Sequence, residues 1–165
     1  MTNVESPDIQ KNKYLVGVIS DTHGLLRPEV LQSFENVDLI LHAGDIGGPN
    51  ILEDLQQVAP VKAVRGNMDY GTWAGNLPES RQLQLGDTGI FLIHDLFGIN
   101  FGGTGNGIHA VISGHTHRPQ IDKQNDTLFL NPGSAGYRQR LSPVSVGLLC
   151  IDNGRLDAEI IALDV

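Results

Sequence analysis

Aspartate, histidine and asparagine recur in this sequence in short polar clusters, each set just after an apolar run. Tyr14 to Ile19 leads into Asp21-Thr22-His23, Val37 to Leu41 into Gly44-Asp45, and Val61 to Val64 into Gly66-Asn67-Met68-Asp69. Ile90 to Ile93 ends at His94, and Ala110 to Ile112 is followed by Gly114-His115-Thr116-His117. Apolar runs of this length read as buried strands, and open α/β sheets bind ligands beyond the carboxyl ends of their strands. Clusters far apart in sequence can therefore meet in one place. Carboxylate, imidazole and one amide oxygen form a mixed N/O donor set that suits Mn, Fe, Ni or Zn better than Ca or Mg alone. The absence of a thiolate argues against a structural zinc. Asp21, His23, Asp45, Asn67, His94, His115 and His117 are more donors than one ion needs. They fit two divalent ions if one carboxylate, Asp45 foremost, bridges them; manganese is the preferred metal, with nickel, iron or zinc as alternatives. Within Asp21-Thr22-His23 and His115-Thr116-His117 the donors are two apart, so an extended backbone would present both on one side.

Such donors need a rigid scaffold, and the sequence supplies its parts. Pro28 can start a helix in which Val30, Leu31 and Phe34 share a face. Asn50 can cap another, with Glu53 as its reciprocal partner and Ile51, Leu52 and Leu55 facing inward. Strand, helix, strand, helix, strand predicts a parallel sheet. Arg81 to Leu85 and Ile90 to Ile93 flank Gly86-Asp87-Thr88-Gly89, a hairpin signal. His109 to Ser113, Thr127 to Leu130, Val144 to Ile151 and Leu156 to Ile161 read as further strands, so the second half looks hairpin-rich. The expected class is α/β, two packed sheets with helices outside, in a single domain spanning residues 1–165 with 1–12 as a loose tail.

The bulk numbers set limits. A chain of 165 residues can bury a real core, and its formal charge of −8 argues against coating duplex nucleic acid. No apolar run approaches the roughly 20 residues of a membrane span, and the polar start carries no secretion signal. Cys150 has no cysteine partner and reads as a packing residue. A cytoplasmic setting is the default, and the sequence leaves oligomeric state open, a homo-oligomer included.

Taken in order, Asp21-Thr22-His23, Gly44-Asp45, Gly66-Asn67, His94, Gly114-His115-Thr116-His117 and Asn131-Pro132-Gly133-Ser134 resemble the calcineurin-like metallophosphoesterases, in particular their small bacterial and archaeal phosphodiesterase branch. The resemblance runs from about Tyr14 to the end and implies an αββα sandwich. It also implies that Asp21, His23, Asp45 and His117 hold one metal, and that Asp45, Asn67, His94 and His115 hold the other. The implied activity is hydrolysis of a phosphodiester by metal-bound hydroxide, on a small-molecule or nucleotide phosphate ester, with Asn67 orienting the phosphate. A phosphomonoesterase or nucleotidase would use the same donors, and a relative in the retromer subunit family uses the fold as an interaction scaffold. Two positions depart from the family. Relatives often carry a His after Gly-Asn to protonate the leaving group, where this chain has Met68, so Asp69 or water would substitute. After His94, relatives have Gly and an amphipathic helix, where this chain has Asp95 and the glycine-rich stretch Gly98 to Gly107.

Several residues have plainer readings. His42 and His109 are expected to be structural, His42 with a chance of supporting the donors from behind. Asp69 is expected first as such a support and second as a catalytic acid. Gly103 to Gly107 lacks the strand, helix and Lys of a phosphate loop. Arg118, Arg138 and Arg140 are expected to be solvated, and Asn131 to Ser134 to form a turn supporting the site wall.

Overall fold

Along the first long apolar run, Tyr14, Val16 and Val18 face one way while Leu15, Gly17 and Ile19 face the other, as the two-residue period of a strand requires. Each face belongs to a different core, and that division organises the molecule. The computed structural model describes residues 4–6, 11–99 and 106–165. Its elements are β1 (Val4–Glu5), β2 (Lys13–Ile19), α1 (Pro28–Ser33), β3 (Leu39–His42), α2 (Pro49–Gln56), β4 (Val61–Ala63), α3 (Thr72–Gly75), β5 (Ser80–Leu85), β6 (Thr88–Ile93), β7 (Ala110–Ile112), β8 (Gln120–Gln124), β9 (Thr127–Asn131), β10 (Ser145–Asp152) and β11 (Arg155–Ala162).

They form two sheets, ordered β11-β10-β2-β3-β4 and β1-β5-β6-β7-β9-β8. Between the sheets, Val16, Val18 and Leu41 pack with Ile90, Leu92 and Ile112. On the outer face of the five-stranded sheet, Val30 of α1, Ile51 and Leu55 of α2 and Trp73 of α3 join Ile19, Ile40 and Ala63. The two-sheet α/β architecture is as expected. The six-stranded sheet, however, has no helix on its outer face among the described residues.

The parallel pairing of β2, β3 and β4 follows the βαβαβ pattern. The second half carries the expected hairpins and adds parallel pairing that the sequence reading did not include, because β6, β7 and β9 run parallel to one another. Consequently both sheets send parallel strands toward the end that carries the polar clusters. True hairpins close at Gly86-Asp87, Asn125-Asp126 and Asn153-Gly154, where Leu85 pairs with Thr88, Gln124 with Thr127 and Asp152 with Arg155. Both residues of the last two turns have positive φ, as two-residue hairpin loops prefer.

Two further expectations need correction. Asn50 does not cap α2: Gly48 precedes it, Pro49 fills its first turn, and no side-chain cap forms. The fixed φ of proline starts this helix, as it does α1. Val4–Glu5, within the stretch read as a loose tail, pairs with β5, and Glu5 Oε1 lies 2.6 Å from Arg81 Nη1. Residues 1–3 and 7–10 of that stretch lie outside the described residues.

Phe34 is fully buried against β2, and only glycine fits beneath it, since a Cβ at Gly17 would stand 2.9 Å from two of its ring carbons. Gly17→Ala should therefore destabilise the fold by about 1–3 kcal/mol through overpacking, although alanine otherwise suits a strand better than glycine. Denaturant unfolding of the variant would measure the loss, and unchanged stability would refute the packing argument.

Candidate metal centre

Five of the expected donors sit where the backbone is strained. Asp21, His23, Asp45, His115 and His117 have φ of 57, 47, 54, 72 and 61°, the left-handed region that costs a non-glycine residue roughly 1–2 kcal/mol. The Asp21-Thr22-His23 and His115-Thr116-His117 segments are thus tight turns, which corrects the extended backbone expected of them. A chain leaving a buried strand must turn within a residue or two to keep its donors at the sheet end.

The turns are clasped to each other. Asp21, His23 and Gly24 donate their N–H groups to the carbonyls of Gly44, Asp45 and Ile46 at 3.0, 2.9 and 2.8 Å. Asp69 accepts from the N–H groups of Ile46, Gly47 and Gly66 at 2.9, 3.0 and 2.9 Å, joining the third loop to the second. The fourth arrives through Asp21 Oδ2, which accepts from Ser20 Oγ at 2.5 Å and from His115 N–H at 3.1 Å. Such close approach demands glycine at the junctions: a Cβ at Gly66 would lie 2.1 Å from Asp45 N, and one at Gly114 would lie 1.9 Å from Ser20 Oγ.

Around these turns the seven donors converge. Asp21 Oδ1 lies 3.1 Å from His117 Nε2 and 3.8 Å from His23 Nε2. Asp45 Oδ2 approaches two imidazoles, 3.8 Å from His23 Nε2 and 3.3 Å from His94 Nε2. Beyond it, Asn67 Oδ1 is 2.9 Å from His94 Nε2 and 3.2 Å from His115 Nδ1. Asp21, His23 and His117 offer ligand atoms all within 4.8 Å of one another, as do Asp21, Asp45 and His94. The second ring nitrogen of His94 faces the Ala43 carbonyl at 2.7 Å, which fixes the other toward the cluster.

Two observations on this cluster fit a cation. Asp21 Oδ1 and His23 Nε2 are buried atoms without a hydrogen-bond partner, a condition worth roughly 1–3 kcal/mol per group unless something binds there. The contact from His117 to Asp21 Oδ1 is an ion-pair approach that lacks hydrogen-bond alignment. The donor set itself is nitrogen and oxygen, with sites for more than one ion.

The electrostatics agree. Burial works to raise the carboxyl of Asp21, but the His117 imidazole and the Ser20 hydroxyl outweigh it and hold the group below its usual range. Burial likewise opposes ionisation of Asp45 and is overcome by His94 and the Met68 N–H. His94 is raised above its usual value despite burial, because Asp45 and Asp21 favour its charged form. Asp21 raises His117 in the same way. The buried carboxylates and the His94 and His117 rings thus favour each other's charged forms.

Other residues fall as follows. Asp69 is buried, and both its oxygens accept from backbone N–H groups, which fastens the Asn67 loop to the Asp45 loop. Met68 is half-exposed, and its N–H donates to Asp45 Oδ1 at 2.8 Å. Asp95 is half-exposed, with Oδ2 3.7 Å from His115 Nε2, and clefts of about 540 and 420 Å³ flank it. Asn131 supports the wall with its side chain, donating to the Gly114 carbonyl at 2.9 Å and to Thr116 Oγ1 at 3.1 Å. His109 has a structural part, its Nδ1 accepting from the Gly89 N–H. Arg118, Arg138 and Arg140 are exposed. The centre of the Gly98 to Gly107 stretch, residues 100–105, lies outside the described residues. Sequence reasoning missed Ser20, Thr22 and Ser134, whose hydroxyls bond Asp21 Oδ2, the Ile46 carbonyl and the Asp21 carbonyl. Ser20 and Thr22 had only their adjacency to a donor as a signal, and Ser134 its place in the Asn131 to Ser134 turn.

Residues 14–154 match the model of the calcineurin-like phosphoesterase superfamily domain. A curated relative, a probable metallophosphoesterase of Methanothermobacter thermautotrophicus, is 44% identical over 161 residues, covering 89% of this chain and 91% of its own. Among solved structures, an archaeal phosphodiesterase superposes with a TM-score of 0.74 at 24% identity, covering 90% of this chain and 99% of its own. Vacuolar Protein Sorting 29 of Cryptosporidium parvum superposes with a TM-score of 0.72 at 20% identity, covering 93% and 99%. At these identities the two structures share the fold.

Because neighbouring carboxylates raise His94 and His117 from the usual imidazole value, a metal bound there would compete with protons more strongly than at free imidazoles. Affinity for Mn²⁺ should fall as pH drops from 8 to 6, with proton release visible when calorimetry is repeated in buffers of different ionisation enthalpy. The metal-free protein should do the opposite: raised imidazoles stabilise below 6.5 and lose that contribution as pH climbs through their folded values. A chelated sample whose melting temperature does not fall between pH 6 and pH 9 would contradict this coupling.

Proposed function

The chain belongs to the calcineurin-like phosphoesterase superfamily, and from that membership we propose that it is a phosphodiesterase whose donor cluster holds two divalent cations, manganese foremost. The observation that carries this reading is the position of Asp45, whose Oδ2 lies 3.8 Å from His23 Nε2 and 3.3 Å from His94 Nε2, one from each proposed ligand set. That position supports a reading in which one carboxylate serves both cations. Asp21, His23 and His117 would complete one set of ligands, and Asn67, His94 and His115 the other. Bound there, paired cations supply Lewis-acid stabilisation of the phosphoryl oxygens and a lowered pKa for water.

The protein's own groups do the rest. Asp21 and Asp45 are the only anionic members of the donor set, so a site carrying two dications keeps a positive balance and draws in phosphate. Asn67 is exposed and turns Oδ1 toward His94 and His115, which leaves its Nδ2 free to point at a phosphoryl oxygen. The strained turns, tied by hydrogen bonds on every side, hold donors in place before substrate arrives. No proton donor follows Asn67, since Met68 has a thioether and Asp69 is committed to the backbone. Esters whose leaving group is an acidic alcohol suffer least from that lack, which favours diesters of such alcohols.

Purified protein should be assayed with an aryl phosphodiester and the matching monoester, before and after chelation and with Mn²⁺ restored. Turnover should require metal, exceed that of the monoester, and fall by at least about 10²-fold in Asp45→Asn, beyond what loss of an outer-shell partner costs. Faster monoester turnover would reverse the substrate assignment. An inactive protein that binds no metal would leave the fold as an interaction scaffold.

A further inference from the structure

Behind the donors, at the end of β3, His42 is fully buried and makes two hydrogen bonds that together define a single tautomer. Its Nδ1 lies 3.1 Å from Gly44 N, which can only donate, so Nδ1 must be the bare nitrogen. Its Nε2 lies 3.0 Å from Thr22 Oγ1. The Thr22 hydroxyl proton is already committed to the Ile46 carbonyl at 2.7 Å, so Oγ1 accepts and Nε2 carries the hydrogen. Both ends of the ring give the same answer independently. Burial also pushes the imidazole down to about 3, which keeps it neutral.

The residues it joins are the two turns that bring in the acidic donors. Thr22 lies between Asp21 and His23, and Gly44 precedes Asp45. We propose that His42 is a positioning residue for the metal centre, tying these turns together in one tautomer and so fixing Asp21 and His23 against Asp45. The proposal rests on the metal-centre reading above. Asp21 and Asp45 are both held at positive φ, from which a non-glycine residue gains by relaxing. The three backbone bonds between the turns fix their register, and the Gly44–His42–Thr22–Ile46 chain adds a side-chain tie between the same two turns. Neither nitrogen of His42 bonds a donor residue, so its effect passes through backbone placement alone.

The test compares Mn²⁺ affinity, by calorimetry, in wild type, His42→Phe, Thr22→Val, Thr22→Ser and the His42→Phe/Thr22→Val double variant. The melting temperature of each metal-free sample is recorded alongside. Each disrupting single variant should lose about 10- to 100-fold in affinity, the usual scale for groups that orient ligands. Thr22→Ser, which keeps the hydroxyl, should stay near wild type, and the double variant should be no weaker than the worse single one. Should His42→Phe fail to fold, the contrast between Thr22→Val and Thr22→Ser carries the test. Nitrogen NMR of the metal-free protein at pH 7 should show His42 protonated at Nε2; a proton at Nδ1 would overturn the proposal. So would wild-type affinity in both disrupting variants, or losses that multiply in the double. Wild type that binds no Mn²⁺ would instead overturn the metal reading itself, and this proposal with it.

Discussion

Asp21 and Asp45 are 0% and 3% exposed, and ionised carboxylates so placed cost several kcal/mol each unless opposite charge and hydrogen bonds surround them. Much of the site end of the molecule answers that cost. Asp21 gathers a hydroxyl, a backbone N–H and two imidazoles, and Asp45 gathers a backbone N–H and two more imidazole contacts, one of them shared. One oxygen of Asp21 still lacks a hydrogen bond, as does His23 Nε2. An arrangement that solvates charge almost completely, and leaves its open valences turned toward one another, is organised for a cation.

The sheets make that arrangement affordable without contributing donors from their interiors. Two apolar cores, one between the sheets and one beneath the helices, supply the stability, while five of the eight non-glycine residues at positive φ among the described residues sit in the loops at the site end. Parallel strands in both sheets matter here. β2, β3 and β4 deliver their loops from one side, and β6 and β7 deliver His94 and the His115 turn from the other. The site therefore lies across the seam of the sandwich, where neither sheet alone could surround an ion.

How much of this was legible depends on what each feature leaves in the residue types. β2, β3, β6 and β10 are buried on both faces, so their apolar runs announce them. The donor clusters were legible for the same reason, since each follows such a run. β8 was invisible because Gln120–Gln124 forms a mostly exposed edge strand whose existence depends on its partner β9. The turns at Asp21 and His115 were misjudged because strand periodicity says nothing of where it stops, and non-glycine residues rarely take positive φ. Asp69 shows a further limit. Its carboxylate could have served as an acid or as a fastener, and the fastening is seen only in three N–H groups, two from the Asp45 loop and one from its own.

The same charge accounting bears on substrate. Two dications would cancel only half of the formal −8, so the protein as a whole stays acidic while the centre turns locally positive. At a distance an incoming phosphate meets a repulsive surface, screened within about 8 Å at physiological ionic strength, and feels attraction only near the cations. A monoester dianion meets twice the repulsion on that approach that a diester monoanion does. Exposed apolar groups on the loops that carry the donors, Met68, Tyr70 and Phe97 among them, offer contact area to the organic parts of a substrate rather than further cationic clamps. Were the proposed cations bound, a surface acidic at long range, apolar near the donors and cationic only at its centre would discriminate by charge before contact and favour the ester that carries less of it.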